Sequence, residues 1–300
     1  MRVVVVGCGY VGLALAGQLD ARGHAVTGVR RSDDGLDAVD AVGPNVDAVR
    51  ADATDPASLE GLPDADAVVF AASSGGRGAD AAREVYVDGL ANVVDEYGSR
   101  ASPPDRLVYT SSTGVYGDHD GGWVDEETPL DPTTEKTEVL AEAERIAIER
   151  TSGAGIDGTV VRFAGLYGPE RYRLERYVEG PVTAGYLNMV HRDDAAGSIR
   201  HLLETDGARD GVVLVVDDEP VDKHAFADWL ADACGVPRPE KLSKDERIAA
   251  GDLAEAAERR IRTSKRCSNA HLRELGYEFV HPTFRSGYRD AVRAYRSETA

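Results

Sequence analysis

The chain has 300 residues, 42% of them hydrophobic, and no apolar run long enough to cross a membrane. Its 53 Asp and Glu against 34 Lys and Arg leave a net charge of −19, a field that disfavours nucleic acid and anionic membrane surfaces as partners; a small-molecule substrate is expected. Cys8, Cys234 and Cys267 are far apart, with no C-x-x-C or H-x-x-x-H pair, so neither a disulfide framework nor a metal site is predicted, and a cytoplasmic protein is.

Arg2 to Val6 is a β-branched run with the composition of a strand buried on both faces, and it runs into Gly7-Cys8-Gly9-Tyr10-Val11-Gly12. A helical pattern through Leu13, Ala16 and Leu19 follows, and Ala25 to Val29 starts a second strand. This is the first βαβ unit of a dinucleotide-binding fold. Gly7 makes the turn, Gly9 lets a pyrophosphate approach, Gly12 lets helix and sheet pack, and the helix N-terminus offers its N–H groups to the phosphates. Cys8, Tyr10 and Val11 complete the cofactor turn, with Cys8 filling space and not acting as a nucleophile. Where NAD-preferring folds place an acid, Arg30-Arg31-Ser32 offers two guanidinium groups and a hydroxyl to a 2′-phosphate; NADP is expected, with NAD as the alternative.

A short helix is predicted from Asp33 to Val42 and a third strand from Val46 to Val49. Asp52 beyond it is a candidate acceptor for the adenine amino group, and Thr54 or Asp55 a helix N-cap. Asp66 to Ser73 reads as a fourth strand whose small carboxyl end, Ala71-Ala72-Ser73, leaves room for the cofactor. Ser74 to Gly78 reads as a flexible loop and Asp80 to Tyr97 as a long helix; Arg106 to Thr110 is a fifth strand, ending at Ser111-Ser112-Thr113-Gly114-Val115-Tyr116-Gly117. A helix from Thr133 to Thr151 and a sixth strand from Gly158 to Phe163 complete the alternation of a doubly wound parallel α/β sheet.

Beyond Ala164 the order loosens. Helices are predicted over 193–203, 221–234, 244–260 and 269–275, and strands over 212–216 and 277–280. The expected division is a dinucleotide-binding Rossmann core over 1–163 and a mixed substrate-binding region over 164–300, packed on the crevice and not independent. Only five basic residues are lysines, Lys136, Lys223, Lys241, Lys244 and Lys265, a carboxylate-rich and lysine-poor balance like that of proteins from salt-loving organisms.

The chain resembles the extended short-chain dehydrogenase/reductases, the superfamily of NAD-dependent epimerases and dehydratases, and within it the atypical branch with a G-x-G-x-x-G turn. The resemblance rests on Gly7 to Gly12, Ser111 to Gly117, Arg162 to Pro169 and Val190 to Ala196. It implies a hydroxyl that holds the substrate oxygen, matched by Ser112, and a Tyr-x-x-x-Lys pair that moves the proton. The pair is missing. Counting from Pro132, Lys136 stands at the tyrosine position and Leu140 at the lysine position. Lys136 is then either the acid–base group or a ribose-binding or surface lysine. Tyr116 reads as core or as a wall beside the nicotinamide, Tyr167 and Arg171 as residues that bind an anionic or hydroxylated substrate, and His191 as a substrate-facing wall or a packed histidine, with Asp193 as N-cap of the following helix. The function so implied is an NAD(P)-dependent oxidoreductase or epimerase-like enzyme acting on a carbonyl or secondary alcohol of a polar metabolite, a sugar derivative among the candidates. A catalytically silent NAD(P)-binding sensor or scaffold is the alternative, and a homo-oligomer is open to either.

Overall fold

The structure is a computed structural model and describes residues 1–75, 78–251 and 253–299. Seven parallel strands form one sheet. They are β1 (Arg2–Val6), β2 (Ala25–Arg30), β3 (Val46–Arg50), β4 (Ala67–Phe70), β5 (Arg106–Ser112), β6 (Asp157–Phe163) and β7 (Gly211–Val215), in the spatial order β7-β6-β5-β4-β1-β2-β3. The reversal of strand order between β1 and β4 is the point at which such sheets open a crevice beyond their carboxyl ends.

The β-branched run that starts the chain is central because it is apolar on both faces. Val3 and Val5 pack to one side with Leu15, Ala16 and Leu19 of α1 (Tyr10–Asp20) and Ile199 and Leu202 of α6 (Arg192–Thr205). Val4 and Val6 pack to the other side with Leu90, Val93 and Val94 of α4 (residues 79–98) and Val139, Ala143 and Ala147 of α5 (residues 135–153). Each of these buried Val, Leu and Ile side chains contributes roughly 1.5–3 kcal/mol by leaving water.

The helix α4 is three pieces: Ala79–Arg83, a π-helical turn Glu84–Gly89, and Leu90–Gly98. Its neighbour α5 repeats this form, with Glu135–Arg145, a π-helical turn Ile146–Arg150 and Thr151–Gly153. The helix after β2 is Asp33–Asp40 (α2), and Asp55 caps Pro56–Leu59 (α3) by accepting the Ala57 N–H at 3.2 Å.

Strand β7 comes from beyond residue 164 and lies at the edge of the main sheet, paired in parallel with β6. The Leu214 N–H on this edge donates to Glu126 Oε1 at 2.7 Å. The rest of the C-terminal part builds a third apolar cluster from Tyr167, Met189, Phe226 and Leu230 of α7 (Lys223–Cys234), Phe284 and Tyr288.

Three local expectations change. The strand predicted over 277–280 is irregular, because the Asp194 carboxylate takes its donors: the N–H groups of Val280 and His281 at 2.7 and 2.8 Å and the Tyr277 hydroxyl at 3.0 Å. The polar helix predicted over 244–260 is two helices, Lys244–Ala249 and Glu255–Arg262, with Asp252 outside the described residues. A C-terminal helix, Arg289–Thr299, was not anticipated. Gly76 and Arg77 of the predicted loop lie outside the described residues. No helix among the described residues is long and apolar enough to cross a membrane.

Candidate functional site

A cavity of about 600 Å³ opens at the carboxyl ends of the strands, from the glycine turn and Arg30, Arg31, Ser32 and Asp52 to Ser112, Lys136 and Arg171. Of the residues singled out in the sequence, it is lined by Gly7, Gly9, Tyr10, Val11, Arg30, Arg31, Asp52, Ala71, Ala72, Ser73, Ser112, Lys136 and Arg171.

The turn that forms its floor depends on two missing side chains. Gly7 has φ +84°, and a Cβ there would lie 2.2 Å from Ala72 Cα. A Cβ on Gly9 would lie 2.8 Å from the Arg30 guanidinium, which instead rests over the turn and donates to the Cys8 carbonyl at 3.2 Å. Gly12 lies against Val5 of the first strand, beneath the cavity. Cys8 is fully buried, and burial pushes its thiol up to about 12. The N-terminus of α1 has Gly9 as its cap, with no side chain bonding the first turn and no acidic residue within it. In a chain this acidic, that leaves the positive end of the helix open to a phosphate.

The wall beyond β2 carries Arg30 and Arg31, with Arg50 outside the cavity lining. The parallel register places Arg50 beside Arg30. Arg50 donates to the Arg31 carbonyl at 2.5 Å and pairs with Asp33, and Arg31 bonds Asp52 Oδ2 at 3.2 Å. Burial pulls the Asp52 carboxyl upward, but the Thr54 N–H and hydroxyl, together with Arg31, hold it below the ordinary carboxylate range. Ser32 is N-cap of α2 but spends no side-chain hydrogen bond on that helix.

At the other end, Ser112 terminates β5 and its Oγ accepts the Gly114 N–H at 3.1 Å, which leaves its proton free to donate. Lys136 is exposed in the first turn of α5, which Thr134 caps by accepting the Thr137 N–H, and it makes no ion pair among the described residues. Leu140, one turn on, lines the same wall with hydrocarbon. Glu144, a further turn on, is buried: it accepts the Ser111 hydroxyl at 2.6 Å and pairs with Arg162 at 2.7 Å. Arg162 in turn donates to the Tyr116 hydroxyl at 2.6 Å.

Tyr116, Tyr167 and His191 do not line this cavity. Tyr116 is fully buried and donates its proton to the Asp125 carbonyl at 2.7 Å; burial pushes its phenol well up, against the Arg162 charge. Tyr167 stacks on Tyr288 with centroids 4.9 Å apart. His191 is buried against His281, and burial followed by that neighbour lowers it to about 4. The N-cap of α6 is His191, whose Nδ1 accepts the Asp193 N–H at 3.2 Å; Asp193, the residue predicted for that role, instead bonds Arg192. Arg171 and Arg192 flank the Tyr10 ring at 4.0 and 5.4 Å, and the Tyr10 hydroxyl donates to the Pro169 carbonyl at 3.0 Å.

Two residues at the site went unread in the sequence. Arg50 depends on strand register, and Tyr86, which lines the cavity, depends on the π-helical turn of α4.

Comparison with known proteins gives a consistent result. A family model described as the NAD dependent epimerase/dehydratase family matches residues 3–210. Protein YeeZ of Escherichia coli (strain K12) is 30% identical over 286 residues, covering 94% of this chain and 96% of its own. Two solved structures share the fold: human epimerase family protein SDR39U1 (isoform 2) with NADPH, at 19% identity, TM-score 0.75 and coverage of 98% and 99%; and DesIV, a dTDP-glucose 4,6-dehydratase from Streptomyces venezuelae with NAD bound, at 22%, TM-score 0.79 and coverage of 99% and 97%.

Proposed function

Because the chain belongs to the NAD dependent epimerase/dehydratase family, we propose that it is an NADP-dependent oxidoreductase or epimerase-like enzyme acting on a carbonyl or secondary alcohol of a small polar metabolite. The observation that carries this reading is the continuity of the cavity, which joins an uncapped helix N-terminus, an arginine-rich wall and a strand-end serine. The α1 N-terminus suits the pyrophosphate, and Arg30, Arg31 and the Ser32 hydroxyl, with Arg50 beside them, suit a 2′-phosphate. Asp52, tied to Arg31, stands where the adenosine end would lie. Ala71, Ala72 and Ser73 leave space for the nicotinamide half.

A bound nicotinamide supplies or accepts hydride at its ring carbon. Ser112 donates its free proton as a hydrogen bond to the substrate oxygen. Lys136 places positive charge on the same wall, favouring negative charge that develops on that oxygen. Arg171, held against Tyr10, binds an anionic or hydroxylated part of the substrate, as a sugar derivative would present.

The test is a pair of cofactor titrations. Arg30→Ala with Arg31→Ala should weaken NADPH binding by about 10²-fold or more, the value of two charge-assisted hydrogen bonds at roughly 1.5–3 kcal/mol each, while NADH binding changes far less. Equal losses for the two nucleotides would falsify the 2′-phosphate assignment. NADPH binding without oxidation by any of a panel of aldehydes, ketones and keto-sugars is the result that the silent sensor requires, for which Leu140 at the implied lysine position speaks.

A further inference from the structure

The phenol that the segment from Pro132 to Leu140 lacks is present elsewhere in the cavity. Tyr86 is half-buried, lines the same cavity as Ser112 and Lys136, and is set in the π-helical turn Glu84–Gly89. Such turns are rare in helices and concentrate at functional sites. The Tyr86 oxygen accepts the Ser74 N–H at 3.2 Å and, more loosely, the Ser74 hydroxyl at 3.5 Å. Both bonds use lone pairs. The phenolic proton has no acceptor among the described residues, so it is available to the cavity.

The other phenols nearby are committed. Tyr10 gives its proton to the Pro169 carbonyl, and Tyr116 gives its proton to the Asp125 carbonyl and lies outside the cavity. The Ser74 N–H stays at the phenol oxygen as a donor when the proton leaves. The first segment of α5 packs on the π-helical turn and carries Lys136, whose charge is not spent on an ion pair among the described residues.

We propose that Tyr86 is the catalytic acid–base residue of this site, exchanging a proton with the substrate oxygen that Ser112 holds. This rests on the dehydrogenase-like reading above. In the reducing direction the carbonyl carbon gains a hydride and the C=O π pair moves to oxygen. The Tyr86 O–H bond breaks as the substrate O–H bond forms. The phenolate is held by the Ser74 N–H and the Lys136 charge until it recovers a proton from water; oxidation runs the same transfers in reverse.

The experiment uses the full chain with NADPH and the carbonyl panel, comparing the native protein with Tyr86→Phe and Lys136→Met. Tyr86→Phe should lower kcat by about 10²-fold or more, the usual value of a positioned acid, while NADPH affinity and the circular dichroism spectrum are retained. Lys136→Met keeps the phenol in place and should lower kcat less than Tyr86→Phe does, again with NADPH affinity retained. Unchanged kcat in Tyr86→Phe overturns the proposal, as does a loss in Lys136→Met as large as that in Tyr86→Phe, which would make Lys136 the proton donor. If NADPH binds and the native protein reduces nothing, the acid–base role falls and the nucleotide site stands. If NADPH does not bind, the functional reading itself falls.

Discussion

Glu144 has almost no water to lean on. Its carboxylate is satisfied by Arg162 and by the Ser111 hydroxyl, and both charged side chains are only 6% exposed. Glu144→Ala would leave the Arg162 guanidinium buried without a counter-charge, and removing one member of such a pair costs about 3–5 kcal/mol. Denaturant unfolding at neutral pH should show a loss of that size; a loss under about 1 kcal/mol would mean that water replaces the carboxylate. At this scale the sequence was legible wherever a cavity-lining residue sits at the end of a predictable element. Gly7, Gly9, Arg30 and Ser112 each close or follow a strand, and Lys136 opens a helix; all five line one cavity. Arg50 was not legible because its place beside Arg30 is a property of strand register, which local sequence does not encode. Tyr86 was hidden for a different reason. A straight α-helix was assumed from Asp80 to Tyr97, and the wider i→i+5 turn that carries it has no residue signature.

At the scale of elements, burial decided where the periodic pattern held. The strands of the main sheet and the helices that cover it are apolar on the faces they bury, and all were readable within a few residues. The segment 277–280 has the composition of a strand but no strand partner, since one buried carboxylate captures its donors. Asp194 lies in the first turn of α6 and is fully buried; burial raises its pKa in spite of the three donors that lower it. It therefore fastens the C-terminal segment to the helix that packs on α1. Asp194→Asn weakens two amide bonds to a charged acceptor, each worth roughly 1.5–3 kcal/mol, so hydrogen exchange at Val280 and His281 should accelerate by about 10- to 100-fold. Protection that persists at both amides would show that the segment is held by Tyr277 and Phe279 packing alone.

For the whole molecule the net charge of −19 is the largest unbalanced quantity. Most ion pairs of the fold are at the surface, such as Arg2 with Asp66 and Arg150 with Asp95, and they leave 19 acidic charges in excess. Repulsion among them works against the compact state and is screened by salt, as the Debye length falls from about 10 Å at 0.1 M to about 3 Å at 1 M. Thermal unfolding of the native chain should shift upward across that range, and a melting temperature indifferent to sodium chloride would refute the idea that the acidic surface strains the fold. The same surface bears on what happens at the open side of the sheet. Among the described residues no strand pairs with the outer side of β7, and a bare strand edge is a template on which a second chain can polymerise. The Glu126 carboxylate already occupies the Leu214 amide on that edge, so an incoming strand would have to displace an anion before its first ladder bond could form. One side chain from the loop between β5 and α5 thus acts as a guard against fibre-like stacking, and it places a cost on aggregation that the folded core alone would not impose.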